Sequence, residues 1–132
     1  MAPQPLGRLL VATLAAAGAT AVLPVLTIIG IIAAPFVFIV ATGHALIIGL
    51  PIALVCNQRG WITALNTIAG GFFIGAIPVG LLMAPDFFRS SGGALLIAFV
   101  FGAFGAVGGA AFWLTLRNMA KKDTALDLRV FE

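Results

Sequence analysis

Residues 9–58 run for fifty positions without a formal charge, closed at either end by Arg8 and Arg59. A membrane-crossing helix takes about 20 residues at a rise of about 1.5 Å each. Fifty residues are too many for one crossing and fit two with a turn between them. The first helix is therefore expected over 9–31 and the second over 36–56, with the turn over 30–35. Pro35 suits the first turn of the second helix, where a missing N–H costs little. A break at Thr42-Gly43-His44 would instead leave about a dozen residues for the second helix, too few to span. The third helix is expected over 61–83 and the fourth over 93–116. Between them lies a polar loop, Ala84-Pro85-Asp86-Phe87-Phe88-Arg89-Ser90-Ser91-Gly92. The sequence predicts an all-α integral membrane four-helix bundle, one transmembrane domain over 1–132 with a charged tail over 117–132 that leaves the membrane.

Composition supports this. Hydrophobic residues make up 62% of the chain and charged residues 8%, against about 45–50% and about 25% in soluble domains. A folded surface facing water needs more charge than that. With four crossings, Arg8, Arg59, Arg117, Lys121, Lys122 and Arg129 share one side and Arg89 alone occupies the other. The bias places both termini in the cytoplasm, as in a multi-pass protein of a bacterial inner membrane. Trp61 and Trp113 lie beside Arg59 and Arg117 at the same boundary, where an aromatic belt belongs. The Lys121-Lys122 cluster reads as an orientation and headgroup signal. It lacks the dense basic stripe of a nucleic-acid binder, so the bilayer is the expected partner and nucleic acid is not.

The beginning of the chain also has the features of a secretory leader: Arg8, an apolar stretch from Leu9, then Ala19-Thr20-Ala21 as a cleavage site. Cleavage there would leave a stretch before Asn57-Gln58-Arg59 awkward for one crossing and short for two. The four-crossing reading keeps these residues.

Lipid tails are as apolar as leucine, so helices in a bilayer associate by close packing through small residues. Ala94, Ala98, Gly102, Ala106 and Ala110 recur every fourth residue in the fourth helix, with Gly105 and Gly109 beside them. The second helix carries Ala41, Ala45, Gly49 and Ala53, and the third carries Gly71/Gly75 and Ala76/Gly80/Ala84. Gly49, Gly71, Gly75, Gly102, Gly105 and Gly109 are thus expected at helix contacts, within one bundle or between copies in a homo-oligomer or larger membrane complex. Pro24, Pro51 and Pro78 fall inside helices and are expected to kink them, freeing the carbonyls of Thr20, Ile47 and Ile74.

Three polar positions stand out. His44 falls near the middle of the second helix, where an ionisable group tends to face protein or a cavity. Thr20 lies at similar depth in the first helix, so a His44–Thr20 contact fits the expected geometry. Asn66, with Thr63 and Thr67, begins the third helix, as a pore mouth or as a helix-to-helix hydrogen bond. Asp86 and Arg89 are placed to pair within the outer loop.

Enzymatic chemistry has little to draw on. A nucleophile must reach a base, and neither serine, Ser90 nor Ser91, falls in a span. Cys56 and His44 are twelve residues apart, about 18 Å along one helix. One histidine and one cysteine do not make a metal site, and phosphate-loop and dinucleotide motifs are absent. No enzyme activity, cofactor or metal is expected.

The stretch Asn66…Gly70-Gly71-Phe72-Phe73-Ile74-Gly75 is similar to the Asn, Gly-x-Phe-x-x-Gly motif of the fluoride channels. The Asn-to-Gly spacing here is one residue longer, and the Thr-Thr-Phe-Ser stretch and N-terminal glycine–arginine signature of that family are absent, so the chain is not assigned to it. Small multidrug transporters carry a glutamate in the first span, and every span here lacks an acidic residue. Two functional expectations follow. One is a non-catalytic accessory, scaffold or modulator subunit acting through helix packing. The other is a small homo-oligomeric channel or transporter with its path near His44, Thr20 and Asn66.

Overall fold

The structure, a computed structural model, describes residues 4–22, 35, 38–82 and 93–130, with 123–130 described by backbone alone. Pro24, most of the turn over 30–35, and the polar loop with Asp86 and Arg89 lie outside the described residues. The fold is all-α, with helices α1 (Leu6–Val22), α2 (Phe38–Gln58), α3 (Ala64–Leu82) and α4 (Gly93–Val130). Three of them, α2, α3 and the Gly93–Lys122 stretch of α4, are long and apolar enough to cross a membrane. The described part of α1 has 17 residues, just under that length. The helical backbone of α4 runs on past the expected end of the fourth span. Its 38 residues extend about 57 Å at the α-helical rise, well beyond the roughly 30 Å of a hydrocarbon core.

Neighbouring helices run antiparallel. Leu9 at the start of α1, Ile62 in the α2–α3 link, and Phe112 and Leu116 in α4 form one buried cluster, with Leu50, Leu54 and Trp113 packed against it. This core lies at the end of the bundle that carries Arg8, Arg59 and Arg117. The guanidinium carbon of Arg59 sits 5.1 Å from the Trp61 ring centre, and that of Arg117 sits 5.0 Å from Trp113. Arg59 and Arg117 are thus each stacked on a tryptophan, a cation–π arrangement, while Arg8 donates to the Gln4 side chain.

Local chemistry explains the tight α2–α3 corner. The N–H of Trp61 donates to the Cys56 carbonyl at 2.8 Å, and that of Gly60 to the Asn57 carbonyl at 3.1 Å. This is the paired closure of a Schellman motif. It needs a left-handed residue just past the helix, and Gly60 supplies φ +67°. Thr63 then caps α3, its Oγ1 accepting the Asn66 N–H at 3.2 Å, while Asn66 Nδ2 donates to the Trp61 carbonyl at 2.9 Å.

Pro51 is accommodated in an informative way. Its ring would clash with the Ile47 carbonyl in a regular helix. The preceding turn, Ala45–Gly49, is instead π-helical. The Leu50 N–H reaches back five residues to the Ala45 carbonyl, and the wider turn takes the proline at the start of the next α-helical segment. Pro78 lies inside α3, which continues across it to Leu82.

Candidate functional site

The closest contact in the bundle is between α3 and α4. A Cβ placed on Gly71 would strike the Gly105 carbonyl oxygen and lie 3.1 Å from Gly109 Cα. One on Gly105 would strike the Gly71 carbonyl oxygen and lie 3.2 Å from Gly75 N. Gly75 faces Phe101 and Gly105 in the same manner, and Gly109 faces Thr67 and Ile68. The two GxxxG pairs therefore interlock, backbone against backbone, and aim carbonyls along the Cα–H directions opposite, the geometry of weak Cα–H···O contacts. Gly102 belongs to a neighbouring stripe and meets the Phe72 ring, with its virtual Cβ 2.6 Å from Cε2. Gly49 makes no such approach, since a Cβ there would meet only Ala45 Cβ of its own helix, at 4.0 Å. Gly108 was not among the expected packing positions, yet its virtual Cβ lies 2.8 Å from Thr20 Oγ1, so it lets α1 and α4 close.

α1 and α3 both pack along α4. Among the described residues, α2 touches α1 along its second half and α3 chiefly through the π turn, standing off from α4. The separation leaves a cavity of about 460 Å³ lined by residues of all four helices. Its wall is mostly alanine, glycine, isoleucine, valine and phenylalanine, including Ala16, Ala41, Ile74 and Phe104.

His44, Thr20 and Asn66 all line this cavity. Their hydrogen bonds, however, run to backbone. His44 Nδ1 lies 3.2 Å from the Val40 carbonyl, one turn back, and the residue is exposed rather than buried in protein. His44 faces the cavity, as a mid-helix ionisable group is expected to, but with α2 held off from α3 and α4 that position does not bury it. Thr20 Oγ1 lies 3.0 Å from the Ala16 carbonyl and 3.4 Å from that of Phe104. It joins α1 to α4 and takes no bond to His44. Asn66 is bound to the Trp61 carbonyl within its own corner, which is a capping arrangement and not a bond between long helices. Thr13, Thr67 and Thr115 likewise turn their hydroxyls onto carbonyls three or four residues back.

One polar device escaped the sequence reading. Asn57, 7% exposed, accepts the Gln4 N–H at 2.7 Å through Oδ1 and donates through Nδ2 to the Gln4 carbonyl at 2.8 Å. Its amide mimics a paired strand and pins the chain ahead of α1 to the end of α2. The only sequence signal was an amide residue at the apolar-to-charged boundary, which also fits solvent exposure.

In comparisons with known proteins, the chain matches no protein-family model, no curated protein and no solved structure.

Proposed function

We propose that this chain is a non-catalytic, multi-pass subunit of a bacterial inner membrane, with both ends in the cytoplasm, acting as an accessory, scaffold or modulator through helix packing. The observation that carries this reading is the use of its polar groups. The threonines of α1, α3 and α4 that are described bond back onto helix carbonyls, and Asn57 and Asn66 bind backbone. A polar path needs such groups turned toward a substrate. Here they close the helices themselves, with the exception of Thr42 in α2, whose buried hydroxyl makes no hydrogen bond, while interlocked glycines join α3 to α4. Topology reporters fused at each end test the orientation; a periplasmic signal from either fusion would overturn it. Co-purification of a discrete membrane partner or homo-oligomer at fixed stoichiometry tests the scaffold role. Recovery of the full-length chain from the membrane only as a monomer would count against it.

A second reading rests on a specific observation: His44, Thr20 and Asn66 share one cavity. It assigns them to a small homo-oligomeric channel or transporter. Loss of ion flux in liposomes on His44→Ala, with the thermal melt unchanged, would favour this reading. Unchanged flux would remove it.

A further inference from the structure

We propose that the cavity between α2 and the other three helices binds an alkyl chain of an amphiphile whose anionic headgroup sits beside Arg59. The inference rests on the chain lying in a membrane and goes beyond the packing role. Along α3 the lining runs from Asn66 to Val79, a span of about 20 Å at the helical rise. The cavity's volume is about 460 Å³. Carbon atoms in contact lie about 3.5–4.0 Å apart, so an extended alkyl chain fits such a slot. The length and the apolar wall suit a hydrocarbon tail.

The chemistry of the wall agrees. Water in a cavity needs about 2–4 polar partners, and the threonine hydroxyls here are turned to backbone, so that the His44 ring and the Asn66 side-chain oxygen stand along an otherwise apolar wall. An empty slot forfeits dispersion contacts along its whole lining, and the bilayer supplies tails at high concentration. A tail gains no hydrophobic advantage by leaving lipid for an apolar cavity, so selectivity must come from the end of the slot. At the basic end Trp61 lines the cavity and carries the exposed Arg59 guanidinium over its ring. A cation held at that level matches an anionic phosphate or carboxylate joined to the buried tail.

The test uses the full chain, purified in detergent and stripped of lipid. It is titrated separately with phosphatidylglycerol, phosphatidylcholine and oleate, and read by native mass spectrometry. The expected result is saturation at one tightly held anionic amphiphile per chain. Retention of phosphatidylglycerol without oleate identifies a phospholipid, and the reverse identifies a free fatty acid. Gly70 lines the cavity, and a Cβ there meets nothing within 4 Å, so Gly70→Leu fills the slot without touching the α3–α4 seam. It is expected to weaken retention about tenfold or more, whereas Arg59→Gln should erase the preference for phosphatidylglycerol over phosphatidylcholine. Ala41→Leu, from the opposite wall, replaces Gly70→Leu should that variant not fold. Graded, non-saturating retention by the wild type, or equal retention by a folded filled variant, would overturn the proposal. Flotation with vesicles distinguishes the two levels: a chain that floats yet holds no saturable amphiphile refutes this site alone, and one that does not float refutes the membrane reading.

Discussion

Adding a single methyl group at Gly105 tests the packing argument most directly. In Gly105→Ala the new carbon collides with the Gly71 carbonyl, lying 2.9 Å from its carbon and 3.2 Å from Gly75 N. Ordinary carbon contacts need about 3.5–4.0 Å, and the atoms struck are backbone on a helix that cannot rotate aside. The helices must therefore separate by roughly 1 Å, and a gap of that size forfeits about a quarter to a half of each contact's well depth. Gly71, Gly75 and Gly109 share the seam, so all of their contacts weaken together. Overpacking of this kind costs about 1–3 kcal/mol. The gain in helix propensity from glycine to alanine, up to about 1 kcal/mol, offsets part of it. The net expectation is a loss of about 1–2 kcal/mol, roughly 5–30-fold in the folding equilibrium. Gly70→Ala, one residue from the seam and in open space, should be neutral or mildly stabilising. Both are measured by reversible unfolding in mixed micelles titrated with sodium dodecyl sulfate. Equal stability of Gly105→Ala and Gly70→Ala would refute the interlocked seam.

Gly102→Ala should cost less than Gly105→Ala in the same titration, because the atoms it meets belong to the Phe72 side chain, which can turn. Gly102→Leu exceeds what that ring can yield and should lower the yield of folded protein from detergent extracts. Asn57→Ala removes both bonds to Gln4 and should cost about 1–3 kcal/mol, with faster amide hydrogen exchange near the start of α1. Gly60→Ala forces a side chain into the left-handed conformation at φ +67° and should cost about 1–2 kcal/mol, read as a lower melting temperature.

The candidate site was only half legible in the sequence. His44, Thr20 and Asn66 stand out because polar residues are rare in this chain, and all three do line one cavity. Their roles were not legible. Whether a threonine faces a neighbour or its own helix depends on side-chain rotation and on how near the next helix comes. The small-residue ladders posed a similar ambiguity. α4 presents small residues on several faces, and periodicity alone does not say which face meets α3. The closest backbone contact fell on Gly105 and Gly109 rather than on the longer stripe through Gly102.

By itself the sequence determined that the chain is helical, that long apolar segments follow one another, and that arginine and tryptophan gather at shared boundaries. These properties come from charge, length and local hydrogen bonding, which residues near one another in the chain settle. Only the tertiary structure decided which glycines interlock, that α2 stands off to leave a cavity, and that Asn57 reaches Gln4 across 53 positions. Each depends on the distance between backbones remote in sequence. In an apolar chain dense with glycine and alanine, many pairings look alike until the helices are placed.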